Sequence, residues 1–294
     1  MKSLDPTEFN QYIRNNAREV IMDYQLIKPI ERVAVGLSGG KDSVLTLHLL
    51  VELMDELDFE LVAVSIDEGI SGYRGEGINA ARVNAAKLGV ELVEGSFKEE
   101  FGFTLDQAAD LYQSACIPCG VFRRQLLNKI SNELGADKVA TGHNLDDEIQ
   151  SFLMSFAKAD FRRFSKFGPK LDRIHPKLVP RIKPLWKIPE KDVGIWAVMN
   201  KVDVHFAECP YSHTSLRAKV KNYLNELEGK RQGTKLSILE SFSKTFKFQK
   251  KEIIMGVCSR CSEPSSLNIC KACEMVEEIN YAHKIVSQKR TLEL

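Results

Sequence analysis

The chain has 294 residues, of which 44% are hydrophobic and 28% are charged, as in an ordinary folded globular protein. Its formal net charge is +1 at pH 7, so the charge sum alone indicates no polyanionic partner. The apolar runs are short, and the first ten residues lack a basic flank followed by an apolar stretch. We therefore expect no membrane span and no secretory signal, and we predict a cytoplasmic protein.

The first half of the chain alternates short β-branched segments with helical ones. An amphipathic helix is predicted from about Pro6 to Tyr24, with Asp5 as its N-cap. This order predicts an α/β fold of the Rossmann-like type, in which helices cover both faces of a parallel sheet. Buried strands are predicted at 32–37 and 61–66, and further strands near 90–95 and at 138–141. Helices are predicted from the turn that ends at Ser43 to about Asp55, and near 76–88, 119–134 and 145–156.

The second half of the chain is less periodic. Residues 158–187 contain four prolines and ten basic side chains against two acidic ones, so we interpret them as a basic loop. Such a loop is either a contact surface for a polyanionic partner or a solvated surface segment. Beyond it, helices are predicted near 190–200, 214–228 and 234–250, with a short strand at 203–206.

A glycine-rich turn, SGGKDS, connects the first predicted strand to the next helix. Its backbone N–H groups and the N-terminus of that helix can surround a phosphate, which the two glycines allow to approach closely. The turn is not a Walker A loop and resembles the PP-loop, SGGxDS, of the ATP pyrophosphatases. An ordinary strand-to-helix turn is the alternative, which six matching residues in this context disfavour. The phosphate-binding candidates are Ser38, Gly39, Gly40, Lys41, Asp42 and Ser43.

Two more segments follow predicted strands and would meet this turn at the carboxyl edge of the sheet, where α/β proteins bind ligands. At the end of the second strand, two side chains could flank an adenine, and an aspartate could bind a ribose or Mg²⁺. After the fourth strand, a lone histidine is more often structural than catalytic, and two aspartates could simply cap the next helix. Their shared position favours a functional role for one of these aspartates. The candidates are Ser65, Ile66, Asp67, Gly142, His143, Asp146 and Asp147.

Seven cysteines, an odd number, argue against a disulfide framework and divide into groups of three and four. In the first group, Cys116-Ile-Pro-Cys119 precedes a predicted helix and Cys209 follows the predicted strand at 203–206. A CxxC pair is shared by redox dithiols, zinc sites and iron–sulfur sites. The three cysteines could bind a cluster with one iron left open, or act as a redox and persulfide set. Three buried structural cysteines are the alternative.

The second group has the spacing CxxC-x₈-CxxC, which is typical of a tetrahedral zinc site. A segment of about 16 residues is too short to bury a core of its own, so it needs a bound metal to fold. A second iron–sulfur cluster is the alternative. The four cysteines are Cys258, Cys261, Cys270 and Cys273.

Taken together, the motifs resemble the TtcA/TtuA family of tRNA 2-thiolation enzymes over nearly the whole chain, from about Arg32 to Cys273. The terminal ribbon favours the TtuA and archaeal–eukaryotic wobble-uridine branch. Many members of that branch carry a further zinc ribbon before the first helix, so we expect the basic loop and the terminal ribbon to contribute more of the tRNA binding here. The motifs are SGGKDS, DEGISGYR, CIPCGVFRR, TGHNLDDEIQ, ECPYS and CSRC…CKAC.

The resemblance implies an ATP-dependent tRNA 2-thiouridine synthase. ATP, with Mg²⁺, would adenylate the 2-oxo group of a uridine, and sulfur would then displace AMP. The resemblance also implies a [4Fe–4S] cluster on Cys116, Cys119 and Cys209, and Zn²⁺ on the terminal four cysteines. Arg123 and Asp147 match positions of catalytic interest, and Cys116 and Cys209 belong to the reacting centre. The implied partners are tRNA and a sulfur donor, either sulfide or a ubiquitin-like thiocarboxylate protein, and a homodimer is expected.

On this basis we divide the chain into an N-terminal helical segment (1–30), a PP-loop catalytic domain with the basic loop (31–250), and a terminal zinc ribbon with a helix (251–294). A cluster-free persulfide thiolase uses the same cysteines and is one alternative. Another PP-loop adenylating enzyme, such as an amidotransferase-type ligase or a tRNA lysidine synthase, is a second. A non-catalytic zinc and tRNA-binding module is a third. The target uridine, wobble or thymine-loop, is left open.

Overall fold

A computed structural model of the protein describes residues 5–160, 167–212, 216–245 and 255–292. Within these ranges five parallel strands form one sheet in the order β3-β2-β1-β4-β5. The strand order reverses direction between β1 and β4, which is where open α/β sheets place their ligands. The predicted Rossmann-like parallel sheet is therefore confirmed. The strands are β1 Arg32–Gly36, β2 Glu60–Asp67, β3 Leu92–Ser96, β4 Lys138–Ala140 and β5 Arg181–Ile182.

The described residues also form eleven helices and a small antiparallel hairpin near the C-terminus. None of these helices is both long and apolar enough to cross a membrane. The hairpin strands are β6 Gly256–Val257 and β7 Pro264–Ser265. The helices are α1 Pro6–Asp23, α2 Lys41–Leu57, α3 Arg74–Lys87, α4 Phe97–Phe101, α5 Leu105–Ala109, α6 Cys116–Glu133, α7 Leu145–Ala157, α8 Glu190–Met199, α9 Leu216–Lys230, α10 Thr234–Thr245 and α11 Lys271–Leu292.

Helix α1 begins where its sequence predicts. The Asp5 carboxylate accepts hydrogen bonds from the backbone N–H groups of Thr7, at 2.7 Å, and Glu8, at 3.3 Å, and a proline occupies the first turn. One face of the helix is buried because its apolar residues recur every three or four positions. The buried residues are Phe9, Ile13, Ala17, Val20 and Ile21.

Two hydrophobic clusters lie on the sheet. The first joins α1, α2 and α8 and includes Leu47, Leu50 and Trp196. The second contains Phe122 of α6, and it continues into the C-terminal ribbon and α11, with Met275 fully buried. The ribbon is therefore packed into the core of the catalytic fold, against the same helix that carries Cys116 and Cys119.

The fold differs from the sequence prediction in the basic stretch. We expected a loop throughout, but residues 181–182 form the edge strand β5, which pairs in parallel with β4. A strand of two residues between Pro180 and Pro184 is too short to show any periodicity. The short helices α4 and α5 were not predicted either, for the same reason. Residues 161–166 of the basic stretch, and 246–250 of the predicted helix at 234–250, lie outside the described residues.

Two further expectations were wrong. The segment 203–206, predicted as a strand, belongs to neither sheet, because the backbone N–H of His205 donates to the carbonyl oxygen of Gly39 at 2.9 Å and not to a neighbouring strand. The pair Cys116–Cys119 does not precede α6 but forms its first turn. Pro118 is tolerated there because the first N–H groups of a helix have no partner within the helix.

Candidate active site and metal centres

The glycine-rich turn between β1 and α2 closes on itself. The Ser38 and Ser43 hydroxyl oxygens lie 3.0 Å apart, and the Ser43 hydroxyl donates to the carbonyl oxygen of Gly40 at 2.9 Å. The N-cap of α2 is Gly40, and no side chain caps the first turn of the helix. Its N–H groups therefore face the turn with the positive end of the helix dipole, as an anion site requires.

Glycine is required at two positions because backbone segments meet there. Gly39 has φ +81°, and a Cβ atom at this position would lie 1.9 Å from the carbonyl oxygen of Gly77 in α3. A Cβ atom on Gly142, after β4, would lie 2.7 Å from the carbonyl carbon of Asp42. The turn and the segment after β4 are thus in direct contact, and both predicted phosphate-site segments lie at one edge of the sheet.

Lys41 and Asp42 are held by residues distant in sequence. The Lys41 ammonium lies 2.9 Å from the Asp42 carboxylate and 3.1 Å from that of Glu190, at the start of α8. Burial opposes the charge of this ammonium, but the two carboxylates outweigh it and raise the pKa of Lys41. The Asn144 amide donates to Asp42 at 2.8 Å. Lys41 is therefore a fixed cation beside the turn.

The adjacent aspartates after β4 have different surroundings. Asp147 is about one-third exposed and lies 3.2 Å from the Arg217 guanidinium. Burial raises the pKa of Asp147 to about 6, although Arg217 opposes this effect. Asp146 is 2% exposed, forms a buried ion pair with Lys235 of α10, and accepts the backbone N–H of Glu190 at 2.8 Å. Asp146 thus connects helices, whereas the Asp147 carboxylate faces the site.

The candidates at the end of β2 are largely buried. Ser65 is 1% and Ile66 5% exposed, and each accepts a hydrogen bond from the Arg74 guanidinium, through the hydroxyl and the carbonyl oxygen respectively. Asp67 accepts the backbone N–H of Gly69 at 2.8 Å. An adenine could therefore meet the backbone of β2 more readily than these two side chains.

His143 is exposed, and its Nδ1 lies 2.9 Å from the Thr141 hydroxyl. Desolvation by the surrounding groove, together with the positive charges of Lys183 and Arg181, lowers the pKa of His143 to about 3. The ring is therefore neutral at physiological pH. It can donate or accept one hydrogen bond at the edge of the site, but it has no positive charge with which to bind a phosphate.

Three cysteines share their electrostatic surroundings with the Arg123 guanidinium. Cys116 is exposed, whereas Cys119 and Cys209 are half-buried. Arg123 interacts electrostatically with all three, and its Nη1 lies 3.6 Å from the Glu68 carboxylate. Burial raises the pKa of Cys119 to about 11, although Arg123 opposes this shift. Since the other four cysteines lie together elsewhere, this site has three thiols, which fits a cubane cluster with one iron free of protein ligands.

The four C-terminal cysteines form a compact site. Their sulfur atoms all lie within 4.8 Å of one another, and they are the one such group of potential metal ligands among the described residues. The Cys258 sulfur accepts the backbone N–H of Cys270 at 3.2 Å and that of Arg260 at 3.5 Å. Burial would raise the pKa of Cys258, but these donors lower it to about 6. A preformed set of four sulfurs with a thiolate fits Zn²⁺.

Several residues of the site had no recognisable signal in the sequence. Glu190 and Lys221, 2.9 Å apart, connect Lys41 to α9, and Arg217 faces Asp147. They come from helices after the basic stretch and belong to no motif. Arg74 lies within DEGISGYR, but only the structure shows that its buried side chain reaches the carbonyl oxygen of Ser38 at 2.6 Å.

Comparison with known proteins agrees with this site. Residues 8–226 match the family model of the PP-loop domain. The tRNA 2-thiolation protein NcsA of Haloferax volcanii is 35% identical over 261 residues, which cover 83% of this chain and 81% of that protein. The cytoplasmic tRNA 2-thiolation protein 1 of Caenorhabditis elegans is 33% identical over 279 residues, which cover 92% of this chain and 74% of that protein.

A solved structure extends the likeness to three dimensions. The U34-tRNA thiolase NcsA from Methanococcus maripaludis, with its [4Fe-4S] cluster, superposes with a TM-score of 0.80 at 35% identity. The alignment covers 92% of this chain and 88% of that one. The family predicted from the motifs is confirmed, and the chain belongs to the PP-loop family and, within it, to the tRNA 2-thiolation proteins of archaea and eukaryotes.

Proposed function

We propose that this protein is an ATP-dependent tRNA 2-thiouridine synthase that acts on the wobble uridine. One contact carries the proposal, the hydrogen bond from the His205 backbone N–H to Gly39 at 2.9 Å. It brings the segment leading to Cys209 directly onto the glycine-rich turn. Four residues span at most about 14 Å, so a base that is activated by ATP at the turn lies within reach of the cysteines. The relatives named for tRNA 2-thiolation support the same reaction.

In the first step, the 2-oxo oxygen of the uridine attacks the α-phosphate of ATP, and pyrophosphate leaves. The fixed Lys41 ammonium and the uncapped N–H groups of α2 stabilise the negative charge that develops on the phosphates. ATP would enter with Mg²⁺, for which Asp67 and Asp147 are candidate ligands. In the second step, sulfur attacks the base carbon, and AMP leaves with the former base oxygen. Asp147 is placed to orient the base or to hold a proton.

The residues that would hold a [4Fe–4S] cluster are Cys116, Cys119 and Cys209. When bound, such a cluster supplies an iron free of protein ligands at which sulfur can be held for transfer. Arg123, whose charge faces the three cysteines, would hold negatively charged sulfur or phosphate beside them. Zn²⁺ would occupy the terminal four cysteines and fix the ribbon on α6. The sulfur donor is either sulfide or a ubiquitin-like thiocarboxylate protein.

The tRNA would approach from the side where basic side chains surround the groove. Arg123, Arg181 and Lys183 all act electrostatically on His143, so their charges converge on one region. Phosphate contacts from such residues would position the anticodon loop, whose bases are partly unstacked and can be turned outward. We also propose a homodimer and a cytoplasmic location, the latter because several relatives are named cytoplasmic tRNA 2-thiolation proteins.

The decisive experiment incubates anaerobically purified, cluster-containing protein with ATP, Mg²⁺, sulfide and unmodified tRNA, and measures 2-thiouridine, AMP and pyrophosphate. We expect one AMP and one pyrophosphate for each 2-thiouridine, located at the wobble position. Thiolation at the thymine-loop uridine would correct the target. Release of AMP without 2-thiouridine would identify a different adenylating enzyme, and no release of AMP would identify a binding module.

Two glycine variants provide a matched control. Both Gly39 and Gly72 have positive φ, but a Cβ atom on Gly39 meets the carbonyl oxygen of Gly77, whereas one on Gly72 meets nothing within 4 Å. Gly39→Ala should therefore abolish AMP formation, and Gly72→Ala should cost only the backbone strain, about 1 kcal/mol of stability. Equal activity of the two variants would argue against ATP binding at the turn.

The second candidate is a cluster-free thiolase that works through a persulfide on one of the same cysteines. Exposed Cys116 is the observation that favours it, because an exposed thiolate can attack the outer sulfur of a donor persulfide, which transfers that sulfur to Cys116 and leaves as a thiol. Thiolation by iron-free protein, with formation of a disulfide between two of the three cysteines, would establish this route. Strict dependence on iron would exclude it.

A further inference from the structure

Glu68 is a buried carboxylate that the proposed reaction does not yet use. It follows β2 directly, and only 7% of its side chain is exposed. The carboxylate lies 2.8 Å from the Arg74 guanidinium on one side and 3.6 Å from that of Arg123 on the other. Burial of a carboxylate between two arginines costs desolvation free energy, and the shared charge restricts the positions of both guanidinium groups.

The backbone around Glu68 is fixed. Its carbonyl oxygen accepts the N–H of Leu105, the first residue of α5, at 2.7 Å. The next residue, Gly69, has φ +71°, and a Cβ atom there would lie 2.6 Å from Cβ of Thr104. The backbone at Glu68 and Gly69 thus packs tightly against the start of α5, so the Glu68 carboxylate has little freedom to move.

On the first side, Arg74 leads to the nucleotide site. It is 5% exposed and donates to the carbonyl oxygen of Ser38 at 2.6 Å, to that of Ile66 at 2.8 Å and to the Ser65 hydroxyl at 3.0 Å. Arg74 therefore joins the end of β2 to the first residue of the glycine-rich turn. Glu68 supplies its counter-charge.

On the second side, Arg123 leads to the cysteines. It lies one helical turn after Cys119 on α6, and 54% of its side chain is exposed. Glu68 is the one carboxylate within 4.0 Å of this guanidinium in the described part of the chain. An exposed arginine has many rotamers, so a single fixed carboxylate beneath it decides which of them faces the sulfur atoms.

We propose that Glu68 is a positioning residue, which holds the Arg123 guanidinium over the three cysteines while Arg74 anchors the same carboxylate to the nucleotide turn. The inference rests on the proposed function, since it assumes that Arg123 acts in sulfur transfer. Its consequence is specific: removing the charge of Glu68 should impair thiolation through Arg123, not through loss of ATP or of the cluster.

The test is a double-mutant cycle on cluster-containing protein. Glu68→Gln keeps the shape of the side chain, and it should slow single-turnover thiolation by about 10- to 100-fold, as loss of an outer partner of a metal site does. Iron content and ATP affinity should stay within about twofold of the wild type. In the Arg123→Gln background, Glu68→Gln should cause no additional loss, because its effect depends on that arginine.

A second readout does not depend on the cluster or on activity. In iron-free protein that keeps its zinc, the arginine side-chain NMR signal that disappears in Arg123→Gln should shift in Glu68→Gln. The matched control is Glu94→Gln, which removes a carboxylate paired with Arg82 at 2.6 Å on the surface, and it should leave both signal and rate unchanged. If Glu68→Gln does not fold, Glu68→Asp keeps the buried charge but withdraws it by one methylene. The longer contact, 3.6 Å to Arg123, should be lost before the 2.8 Å contact to Arg74, and the variant should give the same two effects.

Three results would overturn the inference: wild-type rate in Glu68→Gln, additive losses in the double variant, or loss of iron from Glu68→Gln. Wild-type protein that does not thiolate tRNA would instead refute the proposed function. The NMR shift would still report whether Glu68 positions Arg123, so the two failures can be told apart.

Discussion

The two groups of cysteines differ in how much of each site the protein completes alone. In the C-terminal ribbon, four sulfurs lie within 4.8 Å of one another, and backbone N–H groups donate to Cys258 and Cys270. In the other group, Cys116 and Cys119 at the start of α6 and Cys209 share their surroundings with Arg123 and have no fourth thiol beside them. Cys116 there is exposed, whereas Cys258 is 1% exposed.

Under the proposed function, this difference corresponds to a structural site and a reactive one. A site with four protein ligands leaves a metal no open position, so the metal contributes to folding. A site with three thiols and a nearby cation leaves room for a substrate. Helix α6 carries Cys116 and Cys119 on its first turn and supports the ribbon further along, where the Gln125 amide donates to the Cys261 sulfur at 3.6 Å. One helix thus serves both sites.

We call the four cysteines of the C-terminal ribbon the closed site. The largest expected effect is on this site. Cys258→Ser should abolish zinc binding and lower the free energy of unfolding by more than about 4 kcal/mol, because the ribbon and α11 lose the metal that holds them against α6. Chemical denaturation and zinc analysis would measure this. The matched control, Cys116→Ser, should keep both zinc and stability. An unchanged unfolding free energy in zinc-free Cys258→Ser would contradict a structural role.

The next effect is on the open site, formed by Cys116, Cys119 and Cys209. A change there should reduce activity and leave zinc binding and stability unchanged. Cys209→Ser should reduce thiolation at least about 100-fold, because it removes one of only three ligands, whereas loss of an outer partner already costs 10–100-fold. Its zinc content and ATP binding should match the wild type, and its stability should change by no more than about 0.5 kcal/mol. Retained thiolation would refute a cluster-centred reaction. Loss of zinc would show that the two sites are not independent.

Sequence patterns were sufficient for the fold and for the meeting of the predicted phosphate-site segments at one edge of the sheet. Strongly apolar strands such as β1 and β2, each followed by a helix, predicted the parallel sheet and placed SGGKDS at its carboxyl edge. The two-residue strand β5 and the segment 203–206 were beyond such reasoning. Their conformations are fixed by partners distant in the chain, β4 and Gly39, and not by local propensity.

The roles of individual site residues were harder to predict. Asp146 and Asp147 are equivalent in sequence, but helical geometry turns one toward Lys235 in the core and the other toward Arg217 in the groove. Glu68 likewise has no signal of its own, because its importance comes from two arginines that are 6 and 55 positions away. Spacing identifies a set of ligands more readily than it identifies the residues that hold them.

The smallest expected effect concerns the nucleotide site, where Asp147 faces Arg217. Burial raises the pKa of Asp147 to about 6 from 3.8, so the folded protein binds a proton more readily than the unfolded chain between those values. The ionised carboxylate therefore lowers the free energy of unfolding. The whole of this cost applies well above pH 6, and none of it remains below about pH 4. Asp147→Asn should gain about 1 kcal/mol at pH 8, after allowance for solvent screening, and nothing at pH 4.

Denaturation of wild type and Asp147→Asn across this range would measure the gain, and the pH–rate profile of thiolation gives an independent reading. If the ionised Asp147 takes part in the reaction, the wild-type rate should fall below about pH 6, and the variant should lack this acidic limb. The closed site offers a contrast, because Cys258→Ser should change stability at pH 8 and pH 6.5 alike wherever zinc stays bound to the wild type. A gain that is equal at pH 4 and pH 8 would mean that Asp147 is not the group that titrates, and an acidic limb in the rate profile would then belong to another residue.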